Sequence, residues 1–171
     1  KEDEHSKIFD TAHFGFRKIR VERPLRLNFQ ASEQRIAQLW EQTSFQNLAK
    51  SRKKDKVQKA QEEAAGRAQQ EVIVAMLHAL GTDLYTDRRD FDSALNQKAR
   101  AADIKLTASL RKTIYVALGE RDENAAICAD SKGYPEPDPD LRDYENVPLT
   151  ESVDDYFARE VLSHVPDAWF D

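Results

Sequence analysis

The chain of 171 residues has a single cysteine, Cys128, and only five scattered glycines. One cysteine excludes an internal disulfide framework and makes a reducing compartment the expected setting. The longest apolar run, residues 72–77, is far shorter than the about 20 residues that a bilayer span requires. The glycine patterns that cradle phosphates, G-x-G-x-x-G and G-x-x-x-x-G-K-[ST], are absent, so the sequence offers no nucleotide-binding loop.

Metal-binding and catalytic patterns are equally scarce. The four histidines stand apart and Cys128 has no partner at ligand spacing, which argues against zinc. The acids after residue 138 fail the EF-hand pattern, because Asp143 stands where glycine is required and Leu149 where the bidentate glutamate belongs. Ser163-His164 lacks a nucleophile elbow. We therefore predict no catalytic, cofactor-binding or metal-binding residue in this chain.

The charges are distributed unevenly along the chain. The net charge is -5, but residues 1–60 carry +6, residues 61–119 carry none and residues 120–171 carry -11. Such asymmetry suggests a basic surface for a polyanion and an acidic surface for a basic partner, or two ends that face each other in the fold. The simpler alternative is that most of these side chains are solvated helix faces.

Residues 14–30 alternate in a way that predicts strands. One parity is apolar, with Ile19, Val21, Leu25, Leu27 and Phe29, while the other holds Lys18, Arg20, Arg26 and Asn28. Pro24 cannot donate to a ladder, so we expect two short strands broken near residues 22–24, at a sheet edge.

Helical periodicity follows the strands. Ser32 is expected to cap a first helix, with a second short one around Phe45, and residues 53–80 predict a long helix that Gly81 ends. Two more helices are predicted, capped by Asp90 and by Thr107, the latter closed by Gly119.

The last third of the chain has a different pattern. A strand entering a turn, or short hairpin, is expected near 126–135, then an irregular acidic extended segment at 134–149. Thr150 is expected to cap a last helix with Val153, Phe157 and Val161 inward. The fold class is therefore mainly α, with a small β part.

Two basic sets are the candidate contact residues for DNA or another subunit. Cations of this kind neutralise phosphates with salt-dependent, sequence-independent affinity. The strand set is Arg17, Lys18, Arg20, Arg23 and Arg26, and the helix set is Lys50, Arg52, Lys53, Lys54 and Lys56, with Lys59 following. For the strand set, protection of a sheet edge by charge is an equally simple explanation. For the helix set, the simple alternative is an exposed helix start with nothing bound.

Three strings carry a family resemblance. FGFRKIRVERPLR (14–26), GERDENAAICADSKGYPEPDPD (119–140) and DPDLRDYENVPLTESVDDYFAREVLSHVPDAWFD (138–171) resemble the C-terminal region of the modification (M) subunit of type I restriction–modification systems. The likeness runs through nearly the whole chain in order.

The resemblance implies a bacterial or archaeal, cytoplasmic protein that transfers a methyl group from S-adenosylmethionine to N6 of an adenine flipped out of duplex DNA. The family's Asn-Pro-Pro-Phe/Tyr motif and its glycine-containing cofactor loop are not in this chain. We therefore expect a non-catalytic piece of a longer protein, without a cofactor of its own. The implied partners are double-stranded DNA, a specificity (S) subunit, a second M subunit and a restriction (R) subunit, with no membrane.

The same resemblance suggests a domain division. Residues 1–30 would complete the edge of an upstream catalytic domain, and residues 31–171 would form a helical C-terminal domain. The alternative function is a stand-alone helical adaptor for protein or nucleic acid, without enzymatic activity.

Overall fold

A computed structural model of the chain describes residues 9–171. His5 and the beginning of the predicted segment 1–30 lie outside the described residues. Of the described residues, 47% are helical and 17% extended, so the fold is mixed, with helices in the majority and small antiparallel sheets, as the sequence indicated.

The helices in the described part are α1 (Glu33–Ala37), α2 (Thr43–Gln46), α3 (Lys56–His78), α4 (Arg88–Ala101), α5 (Ala108–Leu118) and α6 (Val153–Tyr156). Short 3₁₀ turns occupy Thr11–Phe14, Gln38–Glu41 and Asn47–Ala49, and a π-helical turn occupies Phe157–Val161. The strands are β1 (Phe16–Glu22), β2 (Leu27–Phe29), β3 (Gly119–Arg121), β4 (Asp143–Pro148) and β5 (Trp169–Phe170).

The chain divides into two compact units. The helical unit is Arg26–Cys128, and the sheet unit is made of Lys1–Leu25 together with Ala129–Asp171. The prediction that residues 1–30 complete an upstream domain stays a prediction. Among residues 9–171, no helix combines the length and the apolar character needed to cross a bilayer.

The helical unit packs α1 to α5 around one core. Phe29 on β2 stacks on Phe91 of α4 with ring centroids 4.6 Å apart, and both side chains are fully buried. Ile73 and Leu77 of α3 and Ile114 of α5 complete the centre of the same cluster. The apolar stripes seen in the sequence therefore face inward, as amphipathic helices require.

Helix ends follow the predicted chemistry in most places. The Ser32 and Thr107 side chains accept from backbone N–H groups of α1 and α5, satisfying donors that a helix start leaves open. Gly81, at φ +79°, follows α3 as predicted. The α4 cap is Asp87 rather than Asp90, and the α6 cap position is Ser152 rather than Thr150.

Gly66 allows α3 to touch the turn before it. A Cβ built on Gly66 would lie 1.9 Å from the Leu48 carbonyl oxygen and 2.8 Å from the Ala49 Cα. These are backbone atoms, which cannot rotate away. Glycine, unfavourable by propensity in mid-helix, is therefore required here by the close approach of two backbone segments.

The sheet unit contains a three-stranded antiparallel sheet in the order β4-β1-β5. β1 pairs with β4 from Phe16–Pro148 to Val21–Asp143, and with β5 at Val21–Phe170. Ile19, Val21 and Val147 pack from one face against Phe157 and Val161, so α6 and the π-helical turn cover that face.

The predicted break near residues 22–24 is confirmed, since β1 ends at Glu22 and β2 begins at Leu27. Two other expectations are wrong. β1 is not an edge strand along its whole length, because β5 pairs with Val21 and Glu22 at its end. Within 134–149, residues 143–148 form a regular strand, since β1 supplies a partner that the acidic sequence pattern does not reveal. The predicted strand at 126–129 is reduced to isolated bridges, one of which joins Ala129 to Pro135 across the turn at Gly133.

We predict that Gly66→Ala destabilises the protein although alanine is the better helix former. The added methyl group must displace the Leu48 carbonyl, and overpacking of this kind costs about 1–3 kcal/mol. The matched control is Ala65→Gly at the exposed neighbouring position, which should cost about 1 kcal/mol by propensity alone. Denaturant unfolding of both variants checks this, and a stabilised Gly66→Ala would contradict the contact.

Candidate nucleic-acid interface

The basic segment, residues 50–59, joins the 3₁₀ turn at Asn47–Ala49 to the start of α3. Asp55 caps the helix by accepting from the Gln58 N–H at 2.8 Å. A helix start is the positive end of the peptide dipole, where acidic side chains are stabilising and basic ones are not. Lysines clustered there therefore add to a positive potential instead of offsetting one.

Two cations of the segment are neutralised. Lys53 Nζ lies 2.7 Å from Glu62 Oε1, and Lys59 Nζ lies 3.9 Å from Glu63. Ser51 also donates to Glu62. The hydrogen bond from Lys53, and then that from Ser51, lowers the pKa of Glu62 below its usual range, which keeps this carboxylate ionised.

Four cations of the segment remain uncompensated. Lys50, Arg52, Lys54 and Lys56 are exposed, and none makes an ion pair with a carboxylate in the part of the chain that the structure describes. Residues 56–62 are all exposed, whereas α3 is anchored at its other end by buried Ile73, Met76 and Leu77. The segment therefore includes an exposed, cationic helix start, and the other half of the same helix packs in the core.

The strand set is divided by the structure. Arg26 belongs to the helical unit, where its Nη1 donates to the Ala125 carbonyl at 2.8 Å. In the sheet unit, strand alternation places Arg17 on the face that carries Ile19 and Lys18 and Arg20 on the other. Lys18 is exposed, and its ammonium group lies 4.4 Å from the centroid of the Tyr144 ring.

Arg20 is held by two carboxylates. Its guanidinium donates to Asp171, and its Nε lies 3.2 Å from Glu22 Oε1 without the geometry of a hydrogen bond. Glu22 is only 4% exposed and accepts from Arg142 Nε at 2.9 Å. Nothing in the sequence pattern indicates that this acid is buried, because Glu22 shares its parity with the basic residues Lys18 and Arg20.

A cavity of about 270 Å³ opens on the covered face of the sheet, beside the π-helical turn. Arg23 lines it together with the carboxylates of Asp143, Glu145 and Glu160 and the His164 ring. Glu145 accepts from the Tyr156 hydroxyl at 3.1 Å. Across residues 9–171, no group of three or more acidic, histidine or cysteine side chains is arranged to hold a metal ion.

A polar cluster links α4 to α5 in the helical unit. The Asp92 carboxylate accepts from Arg111 Nη1 at 2.6 Å and from the Tyr115 hydroxyl at 2.5 Å, while Arg111 Nη2 reaches the Asn96 carbonyl oxygen at 2.7 Å. Burial, and then the hydrogen bond to Asp92, raises the pKa of Tyr115 to about 12. The tyrosine is thus a neutral donor that helps fix two helices, and this role is structural.

Comparison of the chain with protein-family models, with curated proteins and with solved structures finds no significant match.

We predict that Tyr115→Phe lowers the free energy of unfolding at pH 8 by about 1–2 kcal/mol, through loss of a hydrogen bond to a carboxylate. The difference in free energy of unfolding between wild type and variant should shrink as pH rises from 10 towards 12. In that window the unfolded tyrosine, with a pKa near 10, loses its proton first, so the wild type loses up to about 1 kcal/mol after solvent screening.

The measurement is denaturant unfolding of both proteins at pH 8 and pH 11. Tyr134→Phe, at an exposed position, is the matched control and should change neither value. An equal deficit for Tyr115→Phe at both pH values would contradict a neutral, hydrogen-bonded Tyr115.

Proposed function

We propose that the chain is the C-terminal, non-catalytic region of the M subunit of a type I restriction–modification DNA methyltransferase. In this proposal the region contacts the backbone of duplex DNA through the basic segment. It contacts the S, R or second M subunit through its acidic part.

The family part of the proposal is supported by where the resemblance falls. The strings 14–26 and 138–171 are more than a hundred residues apart in the chain, yet nearly all of both belongs to the sheet unit. There β1 pairs with β4 along its length and with β5 at its end. Two of the three resembling strings therefore fall in one folded unit, while the third, 119–140, is divided between the two units.

The DNA contact rests on one observation, the four uncompensated cations of the basic segment. Each contact to a phosphate releases condensed counterions, which gives affinity without base recognition. Such a contact is what we expect of this region, because in the proposed system the S subunit, and not this chain, reads the target sequence.

S-adenosylmethionine is assigned to the upstream domain. The glycine beside β1 does not fit a cofactor cradle, because a Cβ on Gly15 would lie 2.5 Å from the Leu149 side chain. Gly15 therefore packs against leucine, and no step of methyl transfer is assigned to residues of this chain.

The acidic surface is the proposed subunit contact. Residues 120–171 carry a net charge of -11. Asp154 and Asp155 are exposed in α6 and accessible to a basic partner, whereas Glu160 is exposed but accepts from Arg159 Nε at 2.8 Å. Electrostatic complementarity of this kind speeds association and sets orientation more than it sets affinity.

For the DNA contact, we predict that replacing Lys50, Arg52, Lys54 and Lys56 by Gln weakens duplex binding and flattens its salt dependence. Each phosphate contact contributes about 0.9 to the slope of log K against log salt, so up to about 3.6 should be lost. Fluorescence anisotropy with a labelled duplex over a salt series measures both quantities.

The matched control removes the same charge from elsewhere in the helical unit, by replacing Lys98, Arg100, Lys105 and Lys112 with Gln. It should keep most of the slope. Equal slopes for wild type and the basic-segment variant, or equal losses in both variants, would refute a local contact.

For the family assignment, we predict that the gene encodes an Asn-Pro-Pro-Phe/Tyr motif upstream of Lys1. We also predict that the 171-residue chain shows no saturable heat of binding with S-adenosylmethionine in calorimetry. An upstream sequence without the motif would favour the stand-alone adaptor, and tight donor binding by this chain alone would overturn the non-catalytic assignment.

A further inference from the structure

The cavity on the covered face of the sheet lies wholly within the sheet unit. Part of its lining is apolar, formed by the buried residues Val21 on β1 and Val161 in the π-helical turn. Its volume of about 270 Å³ is just below the range of about 300–1,000 Å³ that is typical of pockets for drug-sized ligands. A ligand that fills this cavity is therefore small, of the size of a single amino acid.

Charged side chains of both signs line the rest of the cavity. The strand register places Asp143 of β4 opposite Val21, and strand alternation puts Glu145 on the same face. Arg23 follows the end of β1 and lines the same cavity. The cavity therefore offers one guanidinium group and two strand carboxylates to a ligand.

These three groups do not neutralise one another. The half-buried Arg23 side chain makes no ion pair or hydrogen bond with another of residues 9–171, and its buried Nε has no partner. Asp143 makes no ion pair in that part of the chain either, and its carboxylate accepts from the Tyr144 N–H at 2.7 Å. Glu145 accepts from the Tyr156 hydroxyl, which leaves its negative charge in place. Charges held in a cavity without a partner gain from a ligand that supplies one.

Two further ionisable groups, Glu160 and His164, line the cavity. Glu160 accepts from Arg159 Nε at 2.8 Å, so a neighbouring cation already offsets its charge. His164 is exposed. With histidine counted as neutral, the charges of the lining that lack a partner are one positive and two negative.

This set of charges is complementary to a basic amino acid. Such a molecule has one carboxylate and two cations, the α-ammonium group and the end of the side chain, joined by methylene groups. Guanidinium and carboxylate groups pair through two parallel hydrogen bonds, so Arg23 suits the ligand carboxylate. Asp143 and Glu145 suit its two cations. Val21 and Val161 suit the methylene groups, which pack on apolar surface while the charged ends stay polar.

We propose that the cavity binds a free basic amino acid, with its carboxylate on Arg23 and its two cations on Asp143 and Glu145. A simple cation leaves the guanidinium without a partner, and a simple anion is repelled by the carboxylates. S-adenosylmethionine is drug-sized and exceeds this volume, so its assignment to the upstream domain is unaffected. The inference does not depend on the DNA contact or on the family assignment.

The test is calorimetry of the full 171-residue chain at low salt, titrated in turn with L-arginine and with two analogues that each lack one charge. Agmatine lacks the carboxylate, and L-citrulline has nearly the shape of arginine without the side-chain charge. Each analogue should bind about 10-fold more weakly than L-arginine, because one hydrogen-bonded charge pair is lost.

The variants assign each charge to its partner. Arg23→Gln should weaken L-arginine binding by about 10-fold and should not weaken agmatine binding, since agmatine has no carboxylate to lose. Asp143→Asn and Glu145→Gln should each weaken the binding of L-arginine. The matched controls are Lys132→Gln and Asp154→Asn, which make the same charge changes at exposed positions outside the cavity and should bind as wild type.

Thermal unfolding of each variant checks that it is folded. The inference is overturned if the wild type gives no saturable heat with L-arginine, or if either analogue binds as tightly as L-arginine. Equal losses of affinity in the control and cavity variants would also overturn it, because the effect would then come from the net charge of the unit and not from the cavity.

Discussion

The approach of α3 to the carbonyl of Leu48 decides where the basic segment lies. Because Gly66 has no side chain, the helix and the Asn47–Ala49 turn come together backbone to backbone. The chain must then reverse direction within residues 50–55. The basic side chains that follow the turn and those in the first turn of α3 therefore lie in one short stretch, next to the positive end of a 23-residue helix.

The pairing of Lys53 with Glu62 follows from the same reversal. These residues are nine apart, outside the three- and four-residue spacings that pair side chains on one helix. They meet because Lys53 precedes the helix and folds back beside it. The ion pair and Ser51 hold the reversal, while Lys50, Arg52, Lys54 and Lys56 are left to solvent. Structure-forming and uncompensated cations are thus interleaved within a single segment.

Local chemistry made much of the helical unit predictable. Ser32 and Thr107 accept from helix-start N–H groups, and Gly81 has the positive φ expected of a helix stop. These features depend on neighbours within a few residues. β4 was not predictable in the same way, because its acids and Pro148 disfavour a strand and its partner β1 lies more than 120 residues away.

The candidate site shows the same division. The density of lysine and arginine at 50–59 is visible in the sequence, but which four remain unpaired depends on the fold. The contact between Lys18 and Tyr144 could not be predicted, since the register of β1 on β4 is what brings these two residues to one side of the sheet. A contact that depends on the register between two strands cannot be predicted from the sequence of either strand alone.

The most direct measurement of the central claim is acetylation footprinting of lysines with and without duplex DNA, read by mass spectrometry. If the uncompensated cations contact phosphates, Lys50, Lys54 and Lys56 become protected in the complex while Lys98, Lys105 and Lys112 keep their reactivity. Unchanged reactivity at residues 50–56 under conditions in which the duplex is bound, or protection only at Lys98–Lys112, would contradict the account.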